Sequence, residues 1–161
     1  NIVQLDINAL TELILKRLRA IARNKDVEIV LESMRPVTAE VDAVKMTLII
    51  TNLVENAIKY NKEHGWVKVV LDADHQYFIL AVSDSGIGIP EDSIAHIYER
   101  FYRVDKSRSR EIGGTGLGLA ITRSAVLMHR GSISVISKEG EGSIFTVKIP
   151  LTYIAPTPKN G

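Results

Sequence analysis

Four polar side chains, Asn52, Glu55, Asn56 and Lys59, interrupt the apolar stretch TNLVENAIKY at residues 51–60. Because successive residues of an α-helix are about 100° apart, these four fall within one stripe roughly 100° wide. The opposite face carries apolar side chains, namely Met46, Ile50, Leu53, Val54, Ala57 and Ile58. Asparagine is a poor helix former, since its amide competes for nearby backbone groups. Two asparagines on one stripe therefore indicate a chemical use.

Amide and carboxylate oxygens are ligands for a hard cation, and Mg²⁺ commonly takes only one or two protein oxygens while keeping several waters. Lys59, one turn further along, would point at phosphate oxygens. The stripe thus predicts one wall of a metal–phosphate site. The alternative is a solvated helix face, which would favour Glu, Lys or Gln over asparagine.

The segment DSGIGIP, residues 84–90, follows an apolar strand. Gly86 and Gly88 permit a close backbone approach to a flat ligand, and Asp84 can accept a hydrogen bond from an exocyclic amine. Adenine presents such an amine, whereas guanine presents an oxygen at the same edge and would leave a buried carboxylate unpaired. An ordinary Asp-Gly turn is the alternative.

The segment GGTGLGLAI, residues 113–121, combines four glycines with the start of a helix. Backbone amides in such a loop bind anions without any side chain. It is not a Walker loop, and Leu119 replaces the third glycine of a Rossmann fingerprint. The protein-kinase His-Arg-Asp loop is also absent. A flexible linker followed by a helix cap is the alternative.

The basic segment between the glycine loops has the composition of a mobile lid that closes over phosphates. It reads FYRVDKSRSREIGG and carries Arg103, Lys106, Arg108 and Arg110. We expect this lid to occupy residues 90–113 approximately. A solvated basic loop is the alternative.

Apolar periodicity predicts the elements that must position these groups. A first helix is expected over NALTELILKRLRAIARNK. A second helix is expected from a cap at Asp42 to about Asn61, and a third over GLGLAITRSAVLMHR, ending at Gly131. Strands are expected at IVQLDI, DVEIVLES, WVKVVLDAD, YFILAVSD, GSISVIS and GSIFTVKIP. This order predicts an α+β two-layer sandwich over residues 1–150, followed by a loose Pro-rich tail at 151–161.

Composition excludes several classes of protein. The 161 residues are enough for one domain, and a net charge of +1 does not favour nucleic acid or an anionic membrane. The absence of cysteine excludes disulfides and thiolate metal sites and fits a reducing compartment. No apolar run approaches the ~20 residues that span a bilayer, and no signal peptide is visible. Because the chain starts at Asn1 without methionine, we expect a fragment or a processed product.

Taken in order, Asn52-x-x-x-Asn56, DSGIGIP, FYRVD and GGTGLGLAI resemble the N, G1, F and G2 boxes of sensor histidine kinases, and the resemblance covers residues 2–150 approximately. It implies the catalytic and ATP-binding domain of such a kinase, in the Bergerat-fold (GHKL) superfamily. The implied fold is a two-layer α/β sandwich whose mixed, mainly antiparallel sheet packs on about three helices. ATP would lie between the helices and a flexible lid.

The resemblance also implies roles for individual residues. Asn56 resembles the magnesium ligand, with Asn52 near it. Lys59 resembles the basic residue that contacts phosphate. Asp84 resembles the adenine-reading carboxylate, and Arg103 resembles a catalytic lid arginine. The full set implied in ATP binding is Asn52, Asn56, Lys59, Tyr60, Asp84, Gly86, Gly88, Arg103, Arg108, Gly114, Thr115, Gly116, Leu117, Gly118 and Leu119.

One position separates the branches of the superfamily. Hydrolysing relatives place glutamate four residues before the metal asparagine, whereas this chain has Asn52 there, and an amide is not a general base. The resemblance therefore implies slow hydrolysis and phosphoryl transfer to a protein histidine, with Glu55 as a candidate base. The alternatives are a hydrolysing Bergerat ATPase, a degenerate nucleotide-binding module, and a related kinase that phosphorylates serine in an anti-sigma factor, which the FYRVD box disfavours.

The phosphoacceptor of the family is a histidine followed by an acidic residue on a dimerising helical hairpin. None of the four histidines, His64, His75, His96 and His129, has that context, so we expect them to be surface or helix-end residues. The implied partners are Mg-ATP, a separate dimerisation and phosphoacceptor domain, and a downstream response regulator. We expect a cytoplasmic location, as the cytoplasmic part of a membrane-anchored sensor kinase, with no nucleic acid partner and no membrane insertion by this fragment.

Overall fold

The computed structural model describes residues 1–102 and 118–155. Their helices are α1 (Ile7–Ala22), α2 (Ala43–Lys59) and α3 (Gly118–Met128), with short 3-10 helices at Arg23–Lys25 and Glu91–His96. Their strands are β1 (Ile2–Asp6), β2 (Glu28–Ser33), β3 (Thr38–Asp42), β4 (Trp66–Ala73), β5 (Tyr77–Asp84), β6 (Ser132–Lys138) and β7 (Gly142–Pro150).

The described strands form two sheets. Five strands pair in the order β2-β4-β5-β7-β6, antiparallel except for the parallel pair β2–β4. β1 and β3 form a separate antiparallel pair. The mixed, mainly antiparallel α+β architecture is confirmed. Strand β3, with the short sequence TAEVD, was not among the predicted strands.

Helices α1, α2 and α3 cover the face of the five-stranded sheet that carries the buried core. Alternate residues of β4 and β5 point into the core and are fully buried, namely Val67, Val69, Leu71, Phe78, Leu80 and Val82. α1 packs on β2, α2 packs on β4 and β5, and α3 packs on β6. The two layers therefore place α2 centrally over the sheet, beside the end of β5.

Helix α2 begins where the sequence predicts. The Asp42 carboxylate accepts a hydrogen bond from the Lys45 backbone N–H at 3.0 Å and so caps the helix. The apolar face is buried along its whole length, which makes packing against the sheet the main reason for the helix to form here.

Helix α3 ends differently from the prediction. The residue with a left-handed backbone is Arg130, at φ 60°, and not Gly131. The Gly131 N–H still donates to the Val126 carbonyl at 3.1 Å. Glycine is required there because a Cβ would overlap the Lys148 carbonyl oxygen of β7, so it serves close packing between helix and sheet.

The chain beyond β7 remains attached to the domain as far as Tyr153. The Leu151 N–H donates to the Gln76 carbonyl at 2.9 Å, and the Leu151 carbonyl accepts from the Glu40 N–H at 2.8 Å. The Tyr153 N–H donates to the Glu40 carboxylate at 3.0 Å. Residues 151–153, which the sequence places in a loose tail, thus contact β3 and the turn before β5.

Across residues 1–102 and 118–155, we find no helix with the length and apolar character needed to cross a membrane.

Candidate functional site

The polar stripe of α2 is positioned as the spacing predicts. Asn52, Glu55, Asn56 and Lys59 are all half-buried, while the residues between them, such as Leu53 and Ala57, are buried in the core. A solvated helix face would leave its polar side chains exposed. The partial burial instead shows that the four groups lie partly covered by neighbouring parts of the chain.

Asn52 connects α2 to the first turn of α3. Its side-chain amide donates to the Gly118 carbonyl and to the Thr122 hydroxyl, each at 3.3 Å. The Thr122 hydroxyl in turn donates to the Gly118 carbonyl at 2.7 Å. Gly118, the last glycine of the predicted phosphate loop, therefore lies beside the stripe.

Asp84 ends β5 with its carboxylate half-buried. One carboxylate oxygen accepts from the Gly86 backbone N–H at 2.8 Å. Burial raises the pKa of Asp84 to about 6, although hydrogen bonds from the Gly86 and Ser143 backbone act in the opposite direction. A partly desolvated carboxylate is well suited to a strong hydrogen bond from a ligand.

The glycines after Asp84 have close protein neighbours. A Cβ at Gly86 would overlap the Tyr60 carbonyl oxygen and approach the Asp84 carboxylate at 2.8 Å. Gly88 has φ 69°, and a Cβ there would overlap the Lys138 carbonyl oxygen at the end of β6. The structure thus gives both glycines a packing role. That they also make room for a flat ligand stays a prediction.

A buried hydrogen-bond network ties the end of α2 to the Asp84 loop. The Asn61 side chain is 3% exposed; its NH₂ donates to the Ala57 and Trp66 carbonyls, both at 3.0 Å. Its oxygen accepts from the Ser85 hydroxyl at 3.0 Å, and that hydroxyl also accepts from the Trp66 N–H at 2.8 Å.

A second tie runs through the backbone, because the Tyr60 carbonyl accepts from the Ile87 N–H at 3.0 Å. Together with Asn61 and Ser85, it fixes the Asp84 loop to the helix that carries Asn52 and Asn56. We call this set of contacts, centred on Asn61, Ser85 and the Tyr60–Ile87 hydrogen bond, the α2–β5 clamp.

The Lys25 side chain caps the C-terminus of α2. Its amine donates to the Lys59 carbonyl at 2.6 Å, to the Asn61 carbonyl at 3.1 Å and to the Ile58 carbonyl at 3.4 Å. A cation at this end of a helix satisfies otherwise unpaired carbonyls and interacts favourably with the helix dipole. The last turn, including Lys59 and Tyr60, is held in place by these contacts.

Leu119 is half-buried and packs against the core. Several predicted site residues lie outside the part of the chain that the structure describes: Arg103, Arg108, Gly114, Thr115, Gly116 and Leu117. Most of the predicted lid lies outside it as well. Their roles stay predictions from the sequence.

The oxygen atoms that the stripe offers suit a cation that is also coordinated by a bound ligand. Among the described residues, no three His, Cys, Asp or Glu side chains cluster in a way that could hold a metal ion. Two asparagine oxygens and one carboxylate on α2 are too few for a protein-only cage. They fit Mg²⁺, which completes its shell with water and phosphate oxygens.

The four histidines take no part in this site. His64 and His96 are exposed and pair with Asp26 and Glu99, each at 2.9 Å, and the hydrogen bond to Asp26 raises the pKa of His64. His75 is exposed. His129 lies at the end of α3, as expected, but it is buried rather than on the surface.

His129 is 1% exposed. Its Nδ1 lies 2.8 Å from the Ala125 carbonyl, and its Nε2 accepts from the Asp42 N–H at 3.0 Å. The ring is therefore neutral, with the proton on Nδ1, and joins α3 to the start of α2.

Sequence reasoning missed Lys25, Asn61, Ser85 and Thr122. Asn61 and Ser85 each follow a residue that was predicted to bind the ligand, but no spacing rule shows that their side chains meet across 24 residues of chain. Thr122 lies on a helix whose pattern is mainly apolar. Only the tertiary packing of α2, α3 and β5 brings these groups together.

Comparison with known proteins adds independent findings. The family model described as histidine kinase-, DNA gyrase B- and HSP90-like ATPase matches residues 41–153. The sensor histidine kinase RppB of Synechocystis sp. is 48% identical over 103 residues, which are 64% of this chain and 23% of RppB. The sensor histidine kinase WalK of Bacillus subtilis is 42% identical over 118 residues, 72% of this chain and 19% of WalK.

Solved structures agree with this likeness. The catalytic domain of histidine kinase ThkA has a TM-score of 0.83 and 26% identity, with coverage of 94% of this chain and 97% of that chain. ThkA in complex with response regulator protein TrrA gives a TM-score of 0.76 at 22% identity, with coverage of 94% of this chain and 42% of that chain.

The chain spans 23% of RppB and 19% of WalK, so it corresponds to about a fifth of these curated relatives.

Proposed function

The chain belongs to the family of histidine kinase-, DNA gyrase B- and HSP90-like ATPases as a histidine kinase catalytic domain, and on that premise we propose that it binds Mg-ATP and donates the γ-phosphate to a histidine on a separate dimerisation and phosphoacceptor domain. The proposal rests chiefly on one observation. The α2–β5 clamp holds the purine-reading candidate Asp84 and the polar stripe of α2 in one unit.

In this proposal the described residues divide the nucleotide between them. Asp84 accepts a hydrogen bond from the adenine amine, and Tyr60 packs near the base. Lys59 faces the phosphates, while Asn56, with Asn52 beside it, offers oxygens to Mg²⁺. Bound magnesium neutralises phosphate charge, which is the main electrostatic need of phosphoryl transfer.

The remaining assignments depend on the sequence. Glu55 lies on the same stripe of α2 and is proposed as the base that activates the attacking histidine. Arg103 and Arg108 are proposed to contact the phosphates, and the glycines from Gly114 to Gly118 are proposed to bind them through backbone amides.

The proposed partners follow from the same premise. The described residues include no histidine in a phosphoacceptor setting, so the acceptor is placed on a separate domain of the parent kinase. A response regulator is proposed downstream, which the ThkA–TrrA complex supports by analogy. We propose a cytoplasmic location for this domain.

A hydrolysing ATPase is the second candidate function. Asn52, in the position of the water-activating glutamate, argues against it, because its amide donates to α3 and cannot take a proton from water. A degenerate module without chemistry is the third candidate. The intact polar stripe and the half-buried Asp84 argue against it.

The test uses the chain with Mg²⁺ and γ-labelled ATP, first alone and then with a purified dimerisation and phosphoacceptor domain from a relative such as WalK. We expect ATP to be bound with little release of phosphate, and label to appear on the added domain. Steady release that is lost in Glu55→Gln would instead indicate a hydrolase. Absence of nucleotide binding would indicate a degenerate module.

Asn56→Ala tests the metal assignment. We expect the ATP affinity measured with Mg²⁺ to fall by about tenfold or more, since about 1.4 kcal/mol of lost coordination corresponds to a factor of ten. Calorimetry with and without Mg²⁺ measures this. The matched control is Asn24→Ala, at an exposed asparagine. Unchanged magnesium dependence in Asn56→Ala would contradict the assignment.

A further inference from the structure

The side chain of Asn52 meets only acceptors on the α3 side. The Gly118 carbonyl oxygen has lone pairs and no hydrogen. The Thr122 hydroxyl has one hydrogen, which it uses in the 2.7 Å bond to that same carbonyl. Towards Asn52, both groups can therefore only accept.

This fixes the orientation of the Asn52 amide. With its NH₂ towards α3, it donates to both oxygens at 3.3 Å. A flipped amide would place its oxygen against the Gly118 carbonyl oxygen, and it could accept from Thr122 only if that hydroxyl gave up its 2.7 Å hydrogen bond to Gly118. The carboxamide oxygen must therefore lie on the side that faces away from Gly118 and Thr122.

From this geometry we propose that Thr122 is a positioning residue, which keeps the Asn52 oxygen directed towards the cation that accompanies the nucleotide. The proposal rests on the proposed function for the identity of that cation. Thr122 itself touches neither the nucleotide nor the metal; it acts through Asn52.

The burial of Thr122 makes this role difficult to replace. Its side chain is 0% exposed, so water cannot take over as an acceptor if the hydroxyl is removed. The Asn52 amide would then keep a single 3.3 Å hydrogen bond to Gly118, so its preference for one orientation would be weaker. A cation site needs its ligand oxygen in one orientation, because every misoriented molecule is unable to bind.

Thr122→Val and Thr122→Ser separate the hydroxyl from packing. Valine keeps the shape and loses the hydroxyl, whereas serine keeps the hydroxyl and loses a methyl group. The matched control is Thr11→Val on α1, which is also 0% exposed and donates to a carbonyl four residues earlier at 2.7 Å, but to no asparagine network.

The measured quantity is the ratio of ATP dissociation constants without and with Mg²⁺. Because one hydrogen bond contributes about 0.5–1.5 kcal/mol, we expect Thr122→Val to reduce this ratio by roughly 2- to 10-fold. Thr122→Ser and Thr11→Val should keep the wild-type ratio. Affinity without Mg²⁺ should be the same in all four proteins.

A second readout needs no nucleotide. The side-chain NH₂ signals of Asn52 in ¹⁵N-labelled protein report its hydrogen bonding, and Thr122→Val should shift them while Thr122→Ser leaves them near their wild-type positions. Unchanged NH₂ signals in Thr122→Val would overturn the proposal even if its magnesium dependence changed.

The outcomes also distinguish a failure of the role proposed for Thr122 from a failure of the proposed metal site. Wild-type ATP binding with magnesium dependence, unchanged in Thr122→Val, would overturn the role of Thr122 alone. Equal losses in Thr122→Val and Thr122→Ser would overturn it too, since packing would then explain both. Wild-type binding without any magnesium dependence would overturn the proposed metal site and, with it, this role.

Discussion

The partial burial of Asp84 has opposite effects on the stability of the folded protein and on ligand binding. At neutral pH its carboxyl group is ionised in a half-buried position, and burial raises its pKa to about 6 from the ordinary value of 3.8. An ionised group with a raised pKa is less stable in the folded protein than in the unfolded chain. The same desolvation strengthens any hydrogen bond from a ligand amine.

Asp84→Asn should therefore separate the two properties. At pH 7 we expect the variant to be more stable than the wild type, by on the order of 1–3 kcal/mol, because no buried charge remains. We expect its ATP affinity to fall by tenfold or more, since an amide that accepts from Gly86 turns its NH₂ towards the adenine amine. Urea unfolding and calorimetry measure the two effects.

The sign of the pH dependence follows from the direction of the shift. Between the unfolded pKa near 4 and the folded pKa of about 6, the folded protein holds more protons than the unfolded chain, so stability falls as pH rises through this window. Asp84→Asn should lack this contribution. ATP affinity should fall below pH 6 more steeply in the wild type than in the variant; parallel profiles would exclude Asp84 as the adenine reader.

Sequence reasoning found Asp84 and the asparagine stripe because each follows a local rule, a strand end or a helical spacing. It could not find Thr122, since its role depends on the carbonyl of Gly118 and on a helix 70 residues away in the chain. Local periodicity was enough to predict where these side chains lie, while their roles in binding stay predictions. Positions that depend on which element packs beside which could not be predicted.

Among the elements, the α2–β5 clamp is the contact on which the geometry of the site depends. Asn61 satisfies four hydrogen-bonding partners with one side chain: the Ala57 and Trp66 carbonyls, the Lys62 N–H and the Ser85 hydroxyl. Removing a group from such a buried network leaves its partners unsatisfied, which costs more than the bond itself contributes.

Asn61→Ala should therefore lower the free energy of unfolding by about 2–4 kcal/mol, and Ser85→Ala by about 1–2 kcal/mol. Because the two side chains are bonded to each other, their effects should not add, and a double-mutant cycle should give a coupling of at least about 0.5 kcal/mol. Asn24→Ala serves as the exposed control. Additive losses would show that the clamp is not one unit.

The elements themselves were largely predictable, and the exceptions have physical reasons. The Asp42 cap and the strands flanking Asp84 follow strong local signals. β3 was missed because its sequence TAEVD carries only two apolar residues, Ala39 and Val41, and it takes its pairing from β1 in a sheet separate from the main one. At the end of α3, Arg130 adopts the left-handed backbone, whereas Gly131 is needed for close contact with β7.

At the scale of the whole molecule, the segment after β7 closes the fold. Leu151 and Tyr153 bond to Glu40 of β3 and to Gln76, and the Tyr153 ring meets the buried His129 ring edge-on at 6.3 Å. This short segment thus connects the small β1–β3 sheet to the main sheet and to the end of α3.

Two truncations test that connection. A chain ending at residue 150 should be less stable than a chain ending at residue 155, by about 2 kcal/mol, because it loses three hydrogen bonds and an aromatic contact. Both lack residues 156–161, so the comparison depends on residues 151–155 alone. Thermal or urea unfolding of the pair measures it, and equal stability would contradict a closing role.

The parallel pairing of β2 with β4 bears on the order of folding. β4–β5 and β6–β7 are hairpins of strands that are adjacent in the sequence. β2 and β4 are instead separated in the sequence by β3 and α2. Contacts that are distant in the chain form slowly, since loop closure must come first. Trp66, the sole tryptophan of the chain, begins β4 opposite Glu28, the first residue of β2. Trp66 is 46% exposed, and we expect its fluorescence to change when β2 pairs with β4.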